Sequence, residues 1–154
     1  MPRLLGLELT RRGLALRAAA ATATFIIYIT IFYYIPSNLI SVAKLFTADV
    51  NLPDLFTVSP LVPIIGLGIA TSHSLGVFFR KTRAEGVATI AGASLLALYI
   101  YYLLNGGIIS IKIPEGLIQN VSIRAVIDLT TLMQLFLIPP ALSIIKGILK
   151  LLER

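Results

Sequence analysis

The sequence has no cysteine and a single histidine, His73. Without thiols there is no disulfide, thiolate metal site, iron–sulfur cluster or cysteine nucleophile. One imidazole excludes a haem held by two histidines of the chain and a histidine cluster for zinc or copper, so neither a cofactor nor a metal is expected. Charge is also scarce: Asp, Glu, Lys and Arg make up 13% of the 154 residues, where a soluble domain carries about 25%. Also missing are a Gly-rich phosphate loop, a Ser-His-Asp arrangement, a metal-binding His-Glu motif and a Thr-Val-Gly-Tyr-Gly ion filter. An enzyme is therefore not expected.

What remains is apolar. Hydrophobic residues make up 57% of the chain, and its mean hydropathy is +0.93. No charged residue occurs from Ala18 to Ala43, from Leu55 to Phe79, or from Gly86 to Ile111. Each stretch exceeds the roughly 20 helical residues that cross a hydrocarbon layer about 30 Å thick. A fourth, from Leu129 to Ile145, falls short unless it reaches back through Arg124 and Asp128, which places that pair near an interface where charged heads meet water. The expected fold is an all-α membrane protein, a single transmembrane domain over 1–154 with helices at about 17–40, 59–80, 84–104 and 124–151. Pro36-Ser37-Asn38 ends the first helix, Pro60 or Pro63 opens the second, Asn105-Gly106-Gly107 ends the third, and Pro139-Pro140 kinks the fourth.

Lys and Arg set the orientation. Arg3, Arg11, Arg12 and Arg17 precede helix one, Arg80, Lys81 and Arg83 join helices two and three, and Lys146, Lys150 and Arg154 follow helix four. The positive-inside rule then puts both termini and a short loop in the cytoplasm and two longer loops outside, for a multi-pass protein of the cell membrane. Tyr33, Tyr34, Tyr99, Tyr101 and Tyr102 fall near the outer ends, as an aromatic belt does, and Asn120-Val121-Ser122 is a glycosylation sequon on that side. A signal peptide does not fit: the first apolar run is too long and no small-residue cleavage site follows it. In the second outer loop Ile109, Ile111 and Ile113 alternate with Ser110 and Lys112, a short half-buried strand pattern. The net charge of +6 lies in residues that flank helices and meet anionic headgroups, and no run of it suits nucleic acid.

Helix two carries small residues in two ribbons that let backbones approach closely. Gly66, Ala70 and Ser74 form one, and Gly68, Ser72 and Gly76 form the other; Gly86, Ala88, Gly92, Ala93 and Ala97 answer on helix three. One ribbon serves that hairpin, and the second is open to another helix or another subunit. His73 lies seven residues before Arg80, inside the membrane, where an ionisable group marks either a proton relay or water path, or a neutral imidazole hydrogen-bonded to Thr71, Ser72, Ser74 or a carbonyl within the bundle. Arg124 and Asp128, four apart on a helix, form an interface pair, and Thr131 and Gln134 continue that face inward. The expected function is a non-enzymatic helix-packing subunit of a homo-oligomer or a larger membrane complex, with membrane lipids as its other partner. The alternative is a small channel or transporter with a polar path through His73, Asp128, Thr131 and Gln134.

Overall fold

The computed structural model describes residues 3–4, 7–8, 11–38, 59–113 and 123–152. The sequon at Asn120 and the loop carboxylates Asp49, Asp54 and Glu115 lie outside the described residues. Helix α1 runs over Arg11–Ile29 and continues through a π-helical turn, Thr30–Tyr34, to Asn38. Helices α2 (Leu61–Phe78), α3 (Arg83–Leu103) and α4 (Thr130–Leu152) follow. All four are long and apolar enough to cross a membrane, which makes this a multi-pass membrane protein. Two small antiparallel hairpins accompany them: β1 (Arg3–Leu4) with β2 (Leu7–Glu8), and β3 (Ile108–Ile113) with β4 (Ile123–Asp128).

The helix ends have local causes. Pro60 caps α2, and Pro63 sits in the first turn, where a missing N–H costs nothing; the Ser59 hydroxyl accepts the Leu61 N–H at 3.3 Å. Between α2 and α3, Lys81 takes a left-handed φ of 68°, and the Glu85 carboxylate reaches back to accept the Lys81 N–H at 2.8 Å. Helix α3 ends at Asn105, Gly106 and Gly107, all at positive φ, and the Gly107 carbonyl accepts the Leu129 N–H at 2.6 Å. The Asp128 carboxylate accepts the Thr130 N–H at 2.9 Å and so caps α4.

That cap corrects the expected fourth helix. It begins at Thr130 rather than at 124, because residues 123–128 are drawn into β4, in a register that sets Ile109, Ile111 and Ile113 opposite Ile127, Ala125 and Ile123. Arg124 and Asp128 therefore do not form a one-turn helical pair: in a strand, residues four apart are separated by about 13 Å. Arg124 stands opposite Lys112 instead.

The four helices pack in the order of the chain, α1 on α2, α2 on α3 and α3 on α4. Among the described residues no other pair of these helices makes more than marginal contact. The result is an open row rather than a closed bundle. Both ribbons of α2 are used inside it. Along the first, Gly66 admits the Phe32 carbonyl of the π turn: a Cβ on Gly66 would lie 2.1 Å from that oxygen. One turn on, Ala70 is fully buried, and one turn further the Ser74 hydroxyl donates to the Ala21 carbonyl at 2.9 Å. Gly66, Ala70 and Ser74 are thus covered within the chain, and this ribbon is not open to another subunit. The second ribbon faces α3, where Gly68 meets Leu95, Ser72 meets Gly92 and Gly76 meets Ala88. Helix α4 joins α3 through Gly147 and Gly86, each occupying the space a Cβ on the other would need.

The packed core lies between α1, α2 and α3. Val62, Ile69 and Tyr99 are buried there, with Tyr28, Phe32, Leu95 and Tyr102 against them; Phe32 meets Tyr99 edge-on at 5.2 Å between ring centroids. Tyr99 is thus a core residue and not part of an interfacial belt, whereas Tyr33, Tyr34 and Tyr101 are exposed. Hydroxyls along the helices are satisfied internally: Thr22, Thr24, Thr30, Thr71 and Thr89 each donate to the carbonyl four residues back.

Candidate functional site

Where α1, α2 and α3 converge, the space is filled by aromatic rings. Toward the other end of the row, small side chains leave a hollow. A cavity of about 330 Å³ opens between α2, α3 and α4. Helix α2 contributes Ser72, His73, Gly76 and Val77, with Arg80 just beyond its end; α3 contributes Glu85, Ala88, Thr89, Ala93 and Leu96; α4 contributes Ser143, Lys146 and Lys150. All three sets follow helical spacing, so each helix presents one face to the hollow. It exists because Gly76, Ala88 and Ala93 stand where larger residues would close it.

Charge gathers at the mouth. The cavity wall holds three cations, Arg80, Lys146 and Lys150, and one acid, Glu85. Glu85 is already engaged, since one carboxylate oxygen pairs with the Lys150 ammonium and the other accepts the Lys81 N–H. This ion pair ties the first turn of α3 to the last turns of α4, with the two side chains 18% and 26% exposed. Arg80 and Lys146 are exposed and form no contact ion pair among the described residues, although Arg80 is close enough to Glu85 to feel its charge. Arg17 of α1 comes to the same end and donates to the Arg80 carbonyl at 3.0 Å.

His73 lies deeper, five residues or about 7.5 Å before the end of α2. Its ring stacks at 30° on Tyr28, with centroids 4.4 Å apart. Gly92 leaves room for it: a Cβ there would lie 3.5 Å from His73 Nε2 and 3.2 Å from Ser72 Cβ. Among the described residues the expected hydrogen bonds to Thr71, Ser72 and Ser74 do not form, and the Thr71 and Ser74 hydroxyls donate instead to the Leu67 and Ala21 carbonyls. The imidazole is instead held by the Tyr28 face on one side and borders the cavity on the other.

The remaining residues of the expected polar path are not brought to His73. Asp128 is fully exposed at the start of α4, where it serves as a cap; the Thr130 hydroxyl and N–H hold its carboxyl below the ordinary carboxylate value. Thr131 and Gln134 are exposed within the first two turns of α4. Gln134 precedes Ser143, the nearest α4 residue on the cavity wall, by nine residues, about 13 Å along the helix. His73 and Gln134 therefore belong to opposite ends of the row. The later start of α4 also puts Gln134 only about 6 Å into the helix rather than at mid-membrane.

Arg80, Glu85, Lys146 and Lys150 were not singled out as a group by sequence. A signal was present: Ser143, Lys146 and Lys150 share a helix face with Gly147, the residue of α4 that makes the close backbone approach. No protein-family model, no curated protein and no solved structure matches the chain.

Proposed function

We propose that this chain is a non-enzymatic packing subunit of a membrane assembly, either a homo-oligomer or a larger complex. The open row carries this reading. A closed four-helix bundle surrounds its own core, but a row leaves α1 and α4 as edges, each packed among the described residues mainly on one helix neighbour. Ile26, Ile27 and Ile31 on α1, and Leu135, Leu142 and Leu149 on α4, are exposed along these edges. The small-residue ribbons of α2 do not supply such a surface, since α1 and α3 occupy both. In this reading the basic end of the row faces the cytoplasm of a cell membrane, with both chain ends on that side. The mass of the complex extracted in mild detergent with native lipid tests the proposal. A defined oligomer or a stable co-purifying subunit is expected; a lone monomer overturns it.

One observation favours a second reading, a small channel or transporter: His73, Ser72 and Thr89 border the cavity together with the charged mouth. This reading requires flux in liposomes that His73→Ala alters, and no flux for protons, alkali cations or halides would remove it.

A further inference from the structure

We infer that the cavity between α2, α3 and α4 is a site for an anionic phospholipid, its phosphate held by Arg80 and Lys146 and the first part of an acyl chain lying against Val77, Ala88, Ala93 and Leu96. Four observations lead there. Glu85 pairs with Lys150 and accepts the Lys81 N–H, and its one charge also acts on Arg80, so three cations against one carboxylate leave the wall with a net positive charge carried by Arg80 and Lys146. Arg80 stands just past the end of α2, and Lys146 precedes Gly147, which packs on Gly86 in the first turn of α3; both side chains can reach the level at which headgroups lie, and basic pockets between transmembrane helices suit phosphate heads. With depth the wall loses its full charges and offers Val77, Ala88, Ala93 and Leu96 among the neutral polar groups of Ser72, Thr89 and Ser143 and the His73 ring: from Glu85 to Leu96 it descends along α3 by about 16 Å, the thickness of one leaflet of hydrocarbon. Finally, its 330 Å³ falls within the range of about 300–1,000 Å³ typical of small-molecule sites.

Charge and shape together decide between ligand classes. A soluble anion would use the mouth and leave the apolar depth empty. A zwitterionic lipid would fill the depth but bring a cation against Arg80 and Lys146. Only an amphiphile with a net negative head satisfies both ends. The inference is independent of the subunit proposal, because it concerns the concave face over α3 and not the edges of the row.

The test uses the full chain in neutral detergent, stripped of lipid, titrated with phosphatidylglycerol, phosphatidylcholine or glycerol phosphate and read by native mass spectrometry. One phosphatidylglycerol per chain is expected, with phosphatidylcholine at least tenfold weaker and glycerol phosphate unbound at the same concentration. Arg80→Gln with Lys146→Gln should weaken phosphatidylglycerol at least tenfold and abolish the preference over phosphatidylcholine. Arg83→Gln removes an equal kind of charge outside the cavity and should change nothing. Both substituted sites are exposed, and an unchanged melting temperature without lipid verifies the fold. Ala88→Leu, which fills the apolar part and keeps every charge, should also weaken phosphatidylglycerol. Equal binding of the two lipids, equal loss in Arg83→Gln, or glycerol phosphate binding as tightly as the lipid would each overturn the assignment.

Discussion

Replacing Gly66 by alanine tests the close approach of α1 to α2. The added Cβ would lie 2.1 Å from the Phe32 carbonyl oxygen and 2.6 Å from its carbon, where contacts under 3.0 Å essentially do not occur. The two backbones must therefore part by at least 0.9 Å, the difference between 3.0 and 2.1 Å. The obstacle is backbone and cannot rotate aside, so the cost belongs at the upper end of the roughly 1–3 kcal/mol of overpacking. Alanine returns about 1 kcal/mol through helix propensity, leaving a net loss of about 2 kcal/mol. The loss should exceed that of a surface change because Phe32 and Tyr28 pack on the core of Val62, Ile69 and Tyr99. Gly76→Ala is the matched control: its nearest foreign atom is Ala88 Cβ at 3.8 Å, ordinary contact, so the propensity gain stands alone and the variant should be unchanged or more stable by up to about 1 kcal/mol. Denaturant titration in detergent, followed by helical circular dichroism, reads both. Wild-type stability in Gly66→Ala, or equal losses in both variants, would refute the reasoning.

Ser74→Ala removes the hydroxyl that donates to the Ala21 carbonyl and should cost about 0.6–1 kcal/mol in the same titration. Glu85→Gln leaves the Lys150 ammonium half-buried without its counter-charge and should cost about 1–3 kcal/mol, with Lys150→Gln added to it restoring part of the loss in a double-mutant cycle. The folded pKa of Asp128 is lowered, so its cap is fully present above the ordinary value of 3.8 and is lost as the pH falls through the lower folded value. Amide protection in the first turn of α4, taken relative to the intrinsic exchange rate at each pH, should fall over that acid window in the native protein, be low already above the window in Asp128→Ala, and stay constant across it in Asp128→Asn, which still caps. Because the chain has no cysteine, single cysteines at Arg83 and Asn105 report sidedness directly. The proposed orientation requires a membrane-impermeant thiol reagent applied from outside the cell to label the second and not the first.

The helices were legible because each charge-free stretch exceeds what a bilayer needs, and the turn chemistry of Pro60 and of Asn105-Gly106-Gly107 marks their ends. The start of α4 was not, because in Ile123-Arg124-Ala125-Val126-Ile127-Asp128 the apolar Val126 breaks the alternation that Ile109, Ile111 and Ile113 show. The charge spacing of Arg124 and Asp128 suggested a helix, while strand pairing and the Asp128 cap together place the boundary at Thr130. The ribbons of α2 were visible as small residues, but spacing alone does not say which neighbour fills each; Phe32 and Ala21 could be matched to Gly66 and Ser74, and the burial of Ala70 between them seen, only in three dimensions. His73 stood out as an ionisable residue within a span. Its surroundings did not, because Gly76, Ala88 and Ala93 read as packing positions of a helix hairpin rather than as the walls of a cavity, and the charges read equally well as topology signals.

The chain-order packing has a bearing on how the molecule is made. A helix that packs chiefly on its predecessor and its successor, as the helices do among the described residues, can settle as soon as the next one leaves the ribosome, without waiting for a distant segment to return. The first hairpin already contains its polar clasp, Ser74 on Ala21, and the third helix then seals the aromatic core. Only α4 arrives on a surface that is otherwise complete, and its docking, through Gly147 and the Glu85–Lys150 pair, forms the last wall of the cavity. The hollow thus takes shape only when α4 docks, at a moment when lipid is the solvent surrounding it.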